Sequence, residues 1–113
     1  MAQTEKYQKL IREALTAYSA KITKRPNPHY KVALLFDDEH SQYMVRKIGW
    51  QNTRRIKYIQ LHVALHNDKI WIEEDMTEEG IATYFLEHGV PNDHIVLGFK
   101  SPMMRPYTEF AVE

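Results

Sequence analysis

The spacing of hydrophobic positions changes character along the chain. From Thr4 to Lys21 it is helical: Tyr7, Leu10, Ile11, Ala14, Leu15 and Tyr18 fall on one stripe of an otherwise charged segment. Thr4 stands where an N-cap belongs, and Glu5 opposes the helix dipole. Pro26 and Pro28 forbid continuation beyond Thr23 to His29. Tyr30 to Asp37 is then almost wholly apolar, the pattern of a central strand covered on both faces. Gln42 to Trp50 sets Met44, Ile48 and Trp50 against Tyr43 and Val45, and Gln51-Asn52-Thr53 reads as a turn. Arg55 to His66 alternates, with Ile59, Leu61, Val63 and Leu65 on one face and Tyr58, Gln60, His62, Ala64 and His66 on the other. After the turn Asn67-Asp68, Lys69 to Glu74 directs Ile70 and Ile72 inward. Links this short predict an antiparallel meander, because parallel crossovers need a dozen or more residues.

Thr77 is placed to cap a second helix, with Glu78 and Glu79 in its first turn and Ile81, Ala82, Phe85 and Leu86 on its buried face. Gly89 suits the left-handed position after such a helix, and Val90 is set to close against Phe85. Pro91 to Asp93 reads as one further turn, and Ile95 to Phe99 is short and apolar. The end, Lys100 to Glu113, holds Pro102 and Pro106 but also Met103, Met104, Tyr107, Phe110 and Val112. That is too apolar for a solvated tail, so it is expected to pack on its own domain or on a partner chain. The reading is an α+β domain over residues 1–113: an N-terminal helix, a four-stranded antiparallel meander, a second helix and an extended C-terminal segment. Both helices cover one sheet face. The other face stays partly open, and it or the apolar tail is expected to mediate homo-oligomerisation.

Composition narrows the classes. A length of 113 residues suits one domain. At 43% hydrophobic and 27% charged, the chain is neither disordered nor a coiled coil. No apolar run nears the ~18 residues that a membrane span needs, and no signal-like stretch opens the sequence. Zero cysteines exclude disulfides, thiolate zinc sites and cysteine nucleophiles. A cytoplasmic protein without membrane contact is expected. Fifteen basic residues balance fifteen acidic ones, which argues against a generic nucleic-acid coat. The distribution is uneven: residues 1–57 hold twelve basic and five acidic side chains, residues 58–113 three and ten.

The candidate reactive constellations fail one by one. His62 and His66 imitate a zinc-protease spacing, but on a strand positions four apart lie about 13 Å from each other. Asp37-Asp38-Glu39-His40 could gather a divalent cation for a nuclease, yet it joins two strands as a solvated loop would, and no acidic-x-Lys pair accompanies it. Glu73-Glu74-Asp75 and Glu78-Glu79 repel one another and prefer water; they suit a docking patch for a basic partner better than acid–base catalysis. None of the four glycines forms a phosphate loop, and no serine sits in a nucleophile elbow. Arg46, Lys47, Arg54, Arg55 and Lys57, interleaved with Tyr43, Trp50 and Tyr58, form a candidate basic stripe for nucleic acid.

Read in order, further phrases carry a family pattern. They are Gly49-Trp50 with Arg54-Arg55, Lys69-Ile70-Trp71-Ile72, Asp75 with Thr77-Glu78, and Gly80-Ile81-Ala82. Gly89-Val90-Pro91, Ile95 to Phe99 and the ending Arg105 to Val112 come next, after an opening helix with Tyr7, Ile11 and Leu15 and a strand ending Phe36-Asp37. In this order the sequence resembles the XisI family, the fdxN-element excision controlling factors of cyanobacteria, over essentially its whole length. The resemblance implies an accessory regulator of site-specific excision. A separate recombinase does the strand chemistry, and an XisH-like companion protein is the expected partner. It implies no catalytic residue, cofactor or metal. The expected partner surface is Glu73, Glu74 and Glu79 or Met103, Met104, Tyr107 and Phe110. The alternative is direct DNA binding through Arg46, Lys47, Arg54, Arg55 and Arg105, and a third reading is a metal-dependent nuclease using Asp37, Asp38 and His40.

Overall fold

The helical stripe forms α1 (Ala2–Ile22) in the computed structural model, which describes residues 2–113. Tyr7, Ile11, Ala14 and Leu15 are buried, and Leu10 and Tyr18 pack beside them. The helix begins ahead of Thr4, so this residue does not cap it. The Thr4 hydroxyl instead donates to Asp68 Oδ1 at 2.9 Å, tying the first turn to a distant hairpin.

Strands β1 (Tyr30–Asp37), β2 (Gln42–Gln51), β3 (Arg54–His66) and β4 (Lys69–Asp75) form the expected antiparallel meander. Asn67 and Asp68 both take positive φ, 52° and 60°, as the mirror-image turn of a two-residue hairpin requires. Three features correct the sequence reading. First, β1 lies at the sheet edge, in the order β1-β2-β3-β4-β5, and is not the covered central strand that its apolar run suggests. Second, Ile95–Leu97 is a fifth strand, β5, parallel to β4. The crossover residues 76–94 contain α2 (Ile81–Glu87), which makes a parallel neighbour geometrically available. Third, the alternation of β3 is interrupted. The register leaves Gln60 unpaired opposite Val45 and Arg46, and Glu73 of β4 unpaired opposite His62 and Val63. A bulge of this kind adds a residue to one strand and reverses the facing of the positions beyond it. Leu61 and Val63 thus face the helices, Ile59 lies opposite Arg46 on the other face, and Gln60 is buried with its Nε2 donating to the Tyr18 hydroxyl at 2.8 Å.

The start of α2 also differs from expectation. Glu78 and Glu79 precede the helix, and Thr77 is not its cap. Asp75 takes that part across the chain reversal. Its Oδ2 accepts the Ile81 amide at 2.7 Å, and its Oδ1 accepts the Thr77 amide at 2.9 Å and hydroxyl at 2.5 Å. Thr77 Oγ1 in turn accepts the Gly80 amide at 3.0 Å. Replacing Asp75 with alanine strands these donors and should cost about 2 kcal/mol in thermal unfolding; an unchanged melting temperature would contradict this account of the turn. The other end closes as read from Gly89. With φ of 87° there, the Val90 amide donates to Phe85 O at 3.0 Å and the Gly89 amide to Leu86 O at 3.1 Å. The expected turn after Pro91 is a single 3-10 turn, Asn92–His94.

The core lies between the helices and one sheet face. Tyr43, Val45, Leu61, Val63, Ile70, Ile72 and Ile95 meet Ile11, Leu15, Ile81 and Phe85 there. Among the described residues no helix is long and apolar enough to cross a membrane.

Candidate interaction surface

The C-terminal segment, 98–113, does not trail into solvent. It turns under the sheet end on a ladder of local bonds: Phe99 N donates to Ile72 O at 3.3 Å, Met104 N to Ser101 O at 2.9 Å and Tyr107 N to Met104 O at 3.1 Å. Thr108 Oγ1 donates to Arg105 O at 2.8 Å. It returns to the sheet where Ala111 N donates to Ile95 O at 2.8 Å, beside a parallel bridge between Val96 and Ala111. Phe110 packs against the core. Arg105 is the centre of this arrangement. Its guanidinium stacks 5.1 Å from the Trp71 ring and donates to three carbonyls: Lys100 (3.1 Å), Val112 (3.4 Å) and Gly98 (3.5 Å). Carbonyl acceptors normally hold helix or strand amides, so a planar five-donor cation is well suited to gather several at a chain reversal.

On this fixed frame stand the most exposed large apolar side chains among the described residues. Tyr107 is 84% exposed and Met103 is 83% exposed, with Met104, Phe99 and Val112 also outside. The segment thus packs on its own domain through Phe110 and Ala111 while presenting Met103, Met104 and Tyr107 outward. Glu73 lies next to it, with Oε1 folded over the Cα of Gly98. Glu74 follows in β4, opposite His62. Glu79 is elsewhere. With Tyr18, Lys21, Met76 and Tyr84 it lines a groove of about 520 Å³ between α1 and the start of α2. Neither Glu73 nor Glu74 lines that groove.

The five cations do not all share one face. Arg46 and Arg55 lie on the open sheet face by alternation; Arg46 Nε is buried without a partner, and Arg55 stacks 4.9 Å over Trp50. Lys47 points to the opposite face, 4.7 Å over the Tyr30 ring. Arg54 is exposed at the β2–β3 hairpin, and Arg105 is committed to the C-terminal segment. The acidic loop after β1 is occupied by its own side chains. Asp38 Oδ1 accepts the Tyr43 hydroxyl at 2.7 Å and Arg12 Nη1 at 2.7 Å, and these bonds hold its carboxyl below the usual carboxylate range. Burial, then the Asp38 bond, pushes the Tyr43 phenol upward. Asp37 accepts the His40 amide at 3.1 Å and lies 2.7 Å from its Nδ1, which lowers its carboxyl as well. Among the described residues no group of three or more His, Asp or Glu could hold a metal ion.

Of the four apolar residues named from the sequence, Met103, Met104 and Tyr107 are exposed and Phe110 turns to the core; the sequence reading misses what fixes the segment. Trp71, half-buried in β4, is the platform for Arg105; the signal is an apolar tail with a single arginine in its middle.

Comparison with known proteins bears on the family and the fold. The family described as XisI protein matches residues 1–112. A crystal structure of a XisI-like protein from Anabaena variabilis is 32% identical, with 97% of this chain and 99% of that chain covered at a TM-score of 0.90. The crystal structure of the fdxN element excision controlling factor XisI from Anabaena variabilis is 33% identical, covering 98% and 99% at a TM-score of 0.88. No curated protein matches.

Proposed function

The chain belongs to the XisI family, and we propose that it is a non-enzymatic accessory factor for excision of a DNA element, acting by docking a protein partner on its C-terminal segment. The relative named as an excision controlling factor supports the first part of this reading. One observation carries the second: Met103 and Tyr107 are the most exposed large apolar side chains among the described residues, yet the backbone beneath them is fixed by Arg105 and the Ile95–Ala111 bond. Side chains left over on a flexible tail lose entropy on binding, whereas anchors on a preformed frame lose less. Methionine and tyrosine together are an adaptable gap-filler and a rigid amphipathic anchor, suited to a protein groove. Glu73 at the side of this segment gives the partner a charge to match. The companion that fits this reading is an XisH-like protein, with the site-specific recombinase as a further member of the assembly.

The test is titration calorimetry against the XisH-like companion. Replacing Met103 and Tyr107 together with alanine is expected to weaken association by about a hundredfold, the size of a two-anchor loss, with the melting temperature unchanged. Wild-type affinity in that variant would refute the docking surface. Tight binding of element-end DNA by the isolated chain, falling steeply with salt, would favour direct DNA contact instead.

A further inference from the structure

β1 is a sheet edge without the usual protection. Edge strands commonly carry a proline, a bulge or several charges that hinder pairing with another chain. β1 keeps an unbroken register with β2 from Tyr30 to Asp37, and Leu34, Leu35 and Phe36 are 38%, 43% and 37% exposed. The phase of its hydrogen bonds is set by the Trp50 amide, which donates to the His29 carbonyl at 2.8 Å. Bonded and non-bonded pairs alternate along an antiparallel ladder. Lys31, Ala33 and Leu35 therefore turn their amides and carbonyls toward β2, and Val32, Leu34 and Phe36 turn theirs outward.

We propose that β1 pairs antiparallel with β1 of a second copy of this chain, about a two-fold axis through Leu34, joining both sheets into one. The strand is self-complementary in that register. The outward-turned residues meet one another, Leu34 opposite Leu34 of the copy and Val32 opposite Phe36, so their free amides and carbonyls are all satisfied. Lys31 falls opposite Asp37 of the copy, and symmetry repeats the pair; these are the only charged residues of the strand. Ala33 meets Leu35 on the open face, small against large. Moving the axis to Ala33 or Leu35 would also bond the outward groups. The Ala33 axis would set Lys31 opposite Leu35; the Leu35 axis would set Ala33 opposite Asp37 and Lys31 opposite Glu39, in the turn beyond the paired strand, so neither keeps the two Lys31–Asp37 pairs within the ladder. Charge complementarity thus selects both the occupant and the register. This pairing needs only the sheet and does not depend on a role in excision.

The chain has no cysteine, so single cysteines report the register cleanly. Across the axis the Cα spacing of a bonded antiparallel pair, about 5.5 Å, lies within disulfide reach. Leu34→Cys is expected to give a covalent dimer under mild oxidation, and Lys31→Cys is expected to give none. By light scattering the unmodified chain should be a dimer at micromolar concentration. Lys31→Asp should weaken that dimer about tenfold by setting like charges opposite each other, and adding Asp37→Lys should restore it. A monomeric chain would overturn the proposal. So would faster cross-linking of Ala33→Cys or Leu35→Cys than of Leu34→Cys, or a dimer indifferent to Lys31→Asp. Leu34→Cys leaves the Asp37–His40 contacts untouched, so its result stands if the charge-swapped variant folds poorly.

Discussion

Replacing Phe85 with alanine is expected to remove about 4 kcal/mol from the unfolding free energy, near the upper range for a fully buried aromatic. Phe85 has no exposed surface and is the largest fully buried side chain of α2. Its backbone carbonyl also accepts the Val90 amide that closes the helix. The short helix gives the ring few neighbours able to collapse into the space, because α2 is held at both ends: by Asp75 before it and by the Gly89 reversal after it. Phe85→Leu keeps most of the volume and should cost less, about 1.5 kcal/mol. Urea titration with an unchanged slope would give both values. A loss below about 1 kcal/mol for the alanine variant would contradict the packing around this ring.

Gly49→Ala is expected to cost about 3 kcal/mol, at the high end for forced insertion of an atom into a packed region. A Cβ at position 49 would lie 1.9 Å from the His29 carbonyl oxygen and 2.6 Å from the Tyr30 Cα. Both are backbone atoms of the paired chain, so no rotamer change can relieve the contact. The same carbonyl accepts the Trp50 amide, and this bond would break as the strands part. Gly98 supplies the control. A Cβ there meets Glu73 Oε1, the free end of a flexible side chain, and beyond that side chain only the Ile72 carbonyl oxygen at 3.2 Å, so Gly98→Ala should cost about 1 kcal/mol, well below the loss at Gly49. Equal losses at the two positions in thermal melts would show that the close approach at Gly49 is not the cause.

The fold is legible where local chemistry is self-sufficient. The stripe of α1, the Asn67-Asp68 turn and the Gly89 closure each depend on residues close in sequence, and each stands where the pattern places it. The readings that change depend on partners far along the chain. An apolar run looks the same whether a strand is covered by its own domain or left at an edge, so the pattern alone misplaces Tyr30–Asp37. Three residues of β5 are too few for periodicity to identify, and their parallel neighbour is fixed only by the crossover through α2. Gln60 is polar and alternation assigns it to the outer face; a bulge and the Tyr18 hydroxyl bring it inside. Thr77 carries the sequence mark of a cap, yet the Asp75 carboxylate reaches the helix amide first. Within the candidate surface, the apolar side chains are readable from composition. The stacking of Arg105 on Trp71 is not, since it joins residues thirty-four positions apart.

The most direct measurement is amide hydrogen exchange of this chain with and without the XisH-like companion. Docking on the C-terminal segment predicts slowed exchange across residues 99–112, with α1 unchanged. Protection confined to residues 46–57, or none anywhere at saturating companion, would contradict it.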